Sequence, residues 1–282
     1  RSLELGGNFL DTADLYGPFK NEQLIAKAIQ GNRDQYVIAT KFGWEIDDNE
    51  QITWKINGQK DYVKKSIERS LKNLKTDYVD VFLLHRPSPL MQADEIAEAV
   101  TKLKSEGKII DFGVSNFTAS QTELIRQKTK IDFNQVQFSA THHEAMLDGS
   151  FDYMQIHGIQ PMAWNPLGTV FRENTEQTFR LRQLLATLVD KYHVGSDLIL
   201  LAWILQHPAG VLPVAGTVNV ARIQQLSKAC SLELEKNDWF DIKAKVRFGE
   251  FEIPFLKLRN LILANKREFT LPNGQIAVIP EE

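Results

Sequence analysis

The stretch NFLDTADLYGPFKNEQLIAKAI at residues 8–29, followed by VIATKFG at 37–43, sets the architecture. NFLDT at 8–12 is a short apolar run closed by polar groups, which predicts a buried strand. Gly17 and Pro18 then mark a turn. Beyond them Leu24, Ile25, Ala28 and Ile29 recur at helical spacing, and the spacing predicts a helix over 20–30. YVIATKF at 36–42 is apolar again and reads as a second strand. Strand, helix and strand in so short a stretch form one βαβ unit, whose two strands lie parallel.

The same rhythm continues outward. Strands are expected at 78–84 (YVDVFLL), 109–115 (IIDFGVS), 133–138 (FNQVQF), 159–164 (IQPMAW) and 210–214 (GVLPV). Helices are expected near 61–73, 92–106, 118–128, 149–157, 178–192, 197–206 and 219–229. Asp61 and Thr118 are candidate N-caps, and Gly107 and Gly158 candidate stops. Alternating strands and helices predict an α/β fold with a parallel sheet. An open doubly wound sheet that binds a dinucleotide shows a Gly-x-Gly-x-x-Gly turn after its first strand, and neither that motif nor a P-loop is present. A (β/α)8 TIM barrel fits better, although only seven strands can be read where a closed barrel needs eight.

Bulk properties exclude several classes. A formal net charge of -3 gives no basic field for nucleic acid or anionic membrane. No apolar run approaches the roughly 20 residues that span a bilayer. The one cysteine, Cys230, has no partner for an internal disulfide, as suits a reducing compartment, so a cytoplasmic protein is expected. His142 and His143 are adjacent and lack companion ligands, so no metal is expected.

In parallel barrels the chemistry gathers at the carboxyl ends of the strands. There this chain places Asp11 and Tyr16, then Lys41, His85, Ser115 with Asn116, Asn134 with Gln135, and Trp164. Singly these residues are ordinary: a lysine is a surface charge, a tyrosine packs, an aspartate caps a turn. Together they suggest proton transfer. A phenol, with its reference pKa of about 10, handles protons near neutrality only beside a cation. Lys41 supplies that charge, Asp11 holds the ammonium, and His85 donates to a carbonyl oxygen as hydride reaches the carbon. Arg86 reads as structural. Trp44 and Trp54 read either as pocket lining or as packing in the long loop after Lys41.

Six segments in order resemble the aldo-keto reductase family. NFLDTADLYGPFKNEQLIAKAI is similar to its Asp–Tyr signature, VIATKFG to its lysine strand, and DYVDVFLLHRP (77–87) to its histidine strand. GKIIDFGVSNF (107–117) and FNQVQFS (133–139) resemble its nicotinamide-amide segments, and LPVAGTVNVARI (212–223) its adenosine-phosphate loop. The resemblance implies an NAD(P)H-dependent carbonyl reductase with Asp11, Tyr16, Lys41 and His85 as catalytic tetrad and Tyr16 as general acid. It implies that Ser115, Asn116 and Gln135 grip the nicotinamide amide while Trp164 stacks on its ring. AWNPLG (163–168) corresponds to the pyrophosphate loop, with Asn165 where serine is common, and with Leu167 and Gly168. Gly216, Thr217, Asn219 and Arg222 fall at the adenosine-phosphate contacts. Arg222 favours NADPH through its charge, but Gly216 stands where many members carry lysine, so NADH remains the alternative.

The expected partner is a small-molecule carbonyl substrate, with no nucleic acid, no membrane and a monomeric state. Two rival readings are a Schiff-base aldolase acting through Lys41 and a nucleotide-binding subunit without turnover. The resemblance also implies a barrel strand ahead of the helix-like RSLELGG at 1–7, so the first barrel strand is expected to be missing from this chain. The domain is expected to run over 1–254, followed by a tail at 255–282 with a short helix and a hairpin turning at Pro272–Asn273–Gly274.

Overall fold

The computed structural model describes residues 3–17, 19–47, 49, 51–217, 219–239, 245–248, 251–254, 268–271 and 273–278. The chain divides into two compact units, 1–233 and 234–282, a division earlier than the boundary at 254 read from the sequence.

In the first unit the strands are β1 (Phe9–Asp11), β2 (Val37–Phe42), β3 (Trp44–Ile46), β4 (Ile52–Ile56), β5 (Val79–Leu84), β6 (Ile109–Ser115), β7 (Phe133–Gln137), β8 (Gln160–Trp164) and β9 (Leu212–Pro213). The helices are α1 (Asn21–Ala28), α2 (Lys60–Leu74), α3 (Ala93–Ser105), α4 (Ala119–Arg126), α5 (Ser150–His157), α6 (Glu176–Tyr192), α7 (Ser196–Leu205) and α8 (Val220–Ala229). Seven strands form one sheet in the order β1-β2-β5-β6-β7-β8-β9. Every pairing in it is parallel. Among the described residues β1 and β9 are its edges, and no eighth strand joins them.

The strands are long apolar runs because both faces are covered. Ile38, Phe42, Phe82 and Leu84 point to the helices and join the large core with Val63, Ile67, Ile96 and Val100. Their neighbours Ala39, Val81 and Leu83 form a separate cluster on the other face, with Phe133 against it. Side chains alternate along a strand, so Lys41 shares the second face with Ala39. Its register partner is Leu83 of that cluster. The close approach of β5, β6 and β7 depends on Gly113, where a Cβ would stand 2.6 Å from both Leu83 Cδ2 and the Phe133 carbonyl oxygen.

Helix ends follow local chemistry in part. Thr118 caps α4 as expected, in a reciprocal capping box with Gln121. Gly158 closes α5 in the left-handed region at φ 63°, and Gly107 takes φ 69° just beyond α3. Asp61 is not a cap: α2 begins one residue earlier, its N-cap is Gln59, and Asp61 lies in the first turn, where its charge complements the helix dipole. The loop after Lys41 is not irregular either. It contains the antiparallel hairpin β3–β4, whose base is held by the Tyr62 hydroxyl, which donates to the Trp44 carbonyl and accepts from the Ile46 N–H.

The second unit contains α9 (Lys236–Trp239), a hairpin of β10 (Lys245–Phe248) with β11 (Phe251–Pro254), and another of β12 (Glu268–Thr270) with β13 (Ile276–Val278). The last hairpin turns through Asn273 and Gly274, the latter at φ 86°. The helix expected early in the tail, and Pro272, lie outside the described residues.

Candidate active site

The turn after β1 is locked against β2. Backbone pairing runs past the strand end, with the Thr12 N–H donating to the Ala39 carbonyl at 2.8 Å and the Asp14 N–H to the Lys41 carbonyl at 3.3 Å. The turn then tightens, the Tyr16 N–H reaching the Ala13 carbonyl at 3.1 Å. Two buried polar anchors tie it outward. Asp14 accepts from Arg69 of α2 at 2.7 Å. Glu22 of α1 accepts from Thr40 at 2.8 Å and from Asn73 at 3.1 Å. Burial pushes the Asp14 carboxyl up to about 7 although the Arg69 guanidinium draws it down, and nearby Glu22 adds to the rise. One Asp14 oxygen, Oδ1, is buried without a partner, so the ion pair compensates only part of the desolvation. Asp14, Arg69 and Asn73 were missed in the sequence. Asp14 carried a signal, being a charge between two strand-end residues, whereas Arg69 and Asn73 look like ordinary polar positions of an amphipathic helix.

The four strand-end residues converge. Lys41 is fully buried, and its Nζ donates to Asp11 Oδ2 at 2.6 Å and to the Thr12 carbonyl at 2.9 Å. The same nitrogen lies 5.0 Å from the Tyr16 ring centroid. No hydrogen bond joins Lys41 Nζ to the Tyr16 hydroxyl among the described residues; the cation lies near the ring. The Tyr16 and His85 rings meet edge to face, with centroids 5.9 Å apart and planes at 75°. Burial, with Lys41 and Arg86 nearby, lowers the His85 pKa to about 3, so the imidazole is neutral at physiological pH. Its Nδ1 is buried without a partner.

Four further residues join this set. Ser115 Oγ donates to the Gln135 carbonyl at 2.9 Å. Asn116, in the left-handed region at φ 62°, donates to Ser115 Oγ at 2.8 Å and to the His85 carbonyl at 3.4 Å. Trp164 Nε1 donates to Asn116 Oδ1 at 2.8 Å. Gln135 Nε2 donates to Asp11 Oδ1 at 2.8 Å. Asn134, by contrast, serves the fold: it is buried and donates to the Phe117 carbonyl at 2.9 Å.

The remaining candidates lie on two neighbouring loops. Asn165, at φ 53°, opens a tight turn in which the Gly168 N–H returns to its carbonyl at 2.8 Å. Arg172, missed in the sequence, clasps this turn by donating to Asn165 Oδ1 at 2.6 Å and to the Gly168 carbonyl at 2.7 Å. Leu167 packs on Leu198, Leu201 and Ala229, which sets the turn beside α7 and α8. Gly168 has φ 56°, and a Cβ there would stand 2.0 Å from Thr141 Oγ1. Gly216 is exposed. Thr217 Oγ1 accepts from the Asn219 N–H, and Asn219 caps α8 by accepting from the Arg222 N–H, both at 3.2 Å. The Arg222 guanidinium is exposed and makes no ion pair or hydrogen bond among the described residues. No hydrogen bond among the described residues links Gly216, Thr217, Asn219 or Arg222 to Asp11, Tyr16, Lys41 or His85.

Comparison with known proteins identifies the family. A profile described as the aldo/keto reductase family matches residues 1–247. The uncharacterized oxidoreductase YcsN of Bacillus subtilis is 36% identical over 263 residues, covering 89% of this chain and 87% of its own. The oxidoreductase YdhF of Escherichia coli is 34% identical, covering 89% and 86%. An aldo/keto reductase from Klebsiella pneumoniae, solved in complex with NADP and acetate, superposes with a TM-score of 0.74 at 26% identity, covering 84% of this chain and 79% of that one. With a family match over most of its length and relatives above 30% identity, the chain is an oxidoreductase that belongs to the aldo/keto reductase family.

Proposed function

We propose that this protein reduces the carbonyl of an aldehyde or ketone with NADPH, with Tyr16 as general acid. The observation that carries the reading is the buried Lys41 ammonium, held by Asp11 at 2.6 Å and lying 5.0 Å from the Tyr16 ring. A positive charge so placed stabilises the phenolate left when the Tyr16 hydroxyl gives its proton to the carbonyl oxygen. Asp11 fixes the ammonium, and the Thr12 carbonyl takes a second of its three donors. His85 is neutral and therefore carries one N–H. Its Nδ1 has no acceptor, so a proton on Nε2 is the one that can be donated, and it would orient the carbonyl oxygen between His85 and Tyr16.

The residues present fit a phosphorylated nicotinamide dinucleotide. Trp164 offers an aromatic face beside the Ser115–Asn116 pair. Arg222, at the start of the ten-residue helix α8 and without an ion pair among the described residues, suits a phosphate, as does the N-terminal dipole. When bound, the reduced cofactor supplies the hydride. The relative solved with NADP supports this choice.

The scaffold we infer is the (β/α)8 barrel, of which the parallel sheet β1-β2-β5-β6-β7-β8-β9 supplies seven strands. Among the described residues no helix is long and apolar enough to cross a membrane.

A panel of aldehydes and ketones, assayed with NADPH and with NADH, tests the reading. NADPH oxidation with at least one carbonyl is expected, and Arg222→Ala should raise the Kd for NADPH roughly 10-fold while leaving NADH nearly unchanged. Absence of turnover across the panel, or equal effects of Arg222→Ala on both cofactors, contradicts it.

A further inference from the structure

Arg86, read from sequence as structural, carries a guanidinium with no counter-charge among the described residues. It follows His85 at the end of β5 and is half-buried. Its Cζ lies 5.8 Å from the centroid of the Trp164 ring. Trp164 bonds Asn116, and Asn116 reaches back to the His85 carbonyl. Arg86 thus stands in one closed ring of contacts with His85, Asn116 and Trp164.

Arginines that serve this fold look different. Arg33 donates to Thr76, to the Tyr36 and Tyr78 carbonyls and to Asp80. Arg69 is paired with Asp14, and Arg126 with Glu123. Arg86 has no hydrogen bond or ion pair among the described residues. Its neighbours leave its charge unbalanced, because Lys41 is matched by Asp11 and His85 is neutral. Five N–H donors in a half-buried wall, beside a residue that faces the reacting carbonyl, form a planar fork suited to a carboxylate.

We propose that Arg86 is a specificity-determining residue that receives a carboxylate borne by the substrate, so that the preferred substrates are small oxo-acids rather than neutral carbonyls. The proposal rests on the placement of the carbonyl between Tyr16 and His85 given above. The guanidinium lies 5.8 Å from the centroid of the Trp164 ring, which bonds Asn116 and through it the His85 carbonyl, so the carboxylate is received within a small substrate's length of the reacting carbonyl.

The test compares 4-carboxybenzaldehyde with its methyl ester in the wild type, Arg86→Ala and Arg86→Lys. The wild type should prefer the acid. Arg86→Ala should lower kcat/KM for the acid roughly 10- to 100-fold, with the ester within about 2-fold and the Kd for NADPH unchanged. Arg86→Lys, which keeps the charge but loses the fork, should fall between. Equal losses on acid and ester, or a loss of NADPH affinity, overturn the proposal by assigning Arg86 to the fold or to the cofactor. A second arm is independent of turnover: calorimetric titration of benzoate into the protein with NADP should give binding that Arg86→Ala abolishes. Arginine-dependent benzoate binding without turnover of any carbonyl would uphold the anion site and reject the reductase reading. Benzoate binding indifferent to Arg86→Ala rejects the anion site.

Discussion

Gln135 donates its amide to Asp11 Oδ1 at 2.8 Å, across 124 residues of chain, while Lys41 holds the other oxygen of the same carboxylate. The resemblance assigns Gln135 to the nicotinamide amide, and one of its two amide N–H groups is engaged by Asp11. Its second N–H and its Oε1 are left for other partners. The glutamine therefore ties β7 to the orientation of Asp11.

Gln135→Glu replaces that donor with a second carboxylate against Asp11. The repulsion should cost roughly 2–4 kcal/mol at about pH 8 and shrink as the medium is acidified, because one of the two carboxyls then takes a proton. Urea unfolding at about pH 8 and about pH 5 measures this. A variant as stable as wild type at the higher pH shows that the contact carries no energy.

Gly113→Ala should destabilise the first unit by roughly 1–3 kcal/mol, since the added methyl meets Leu83 and the Phe133 carbonyl at 2.6 Å. The Phe133 backbone has little room to retreat, being paired to Gly113 on one side and Gln160 on the other. An unchanged unfolding midpoint contradicts the close approach of β5, β6 and β7.

Two buried groups should tilt the pH profile of stability in opposite senses. The His85 pKa is lowered to about 3 from 6.5 by burial, then by Lys41 and Arg86. Between those values the unfolded chain binds a proton that the folded one refuses, so stability falls on acidification. The Asp14 pKa is raised from 3.8 to about 7, chiefly by burial. There the folded chain keeps the proton, so that contribution is fully present below 3.8 and is lost as pH rises through about 7. Accordingly Asp14→Asn should gain stability relative to wild type between about pH 5 and pH 8, and His85→Gln should gain on going from about pH 7 to pH 4. Urea midpoints across this range that stay parallel to wild type contradict both shifts.

Much of this was legible in the chain because parallel strands buried on both faces announce themselves as apolar runs. The expected strand 109–115 coincides with β6, and 78–84 differs from β5 by one residue. The strand-end residues stood out against those runs, which is why Asp11, Lys41, His85 and Trp164 could be singled out as candidates. What escaped is what has no local signature. The β3–β4 hairpin hides in WEIDDNEQITWKI because its strands are short and polar between, and Trp54 at φ 61° gives no alternating pattern. Arg69 reaches Asp14 from a helix 55 residues away. The lack of a counter-charge at Arg86 among the described residues is a property of its three-dimensional neighbours, which no motif encodes.

Tyr16→Phe tests the central claim most directly, because it removes one oxygen and leaves the ring beside Lys41 and His85. With NADPH and a carbonyl that the wild type reduces, kcat should fall by roughly 100- to 10,000-fold, with the Kd for NADPH within about 2-fold of wild type. Turnover retained within about 10-fold of wild type would contradict the assignment of Tyr16 as the proton donor.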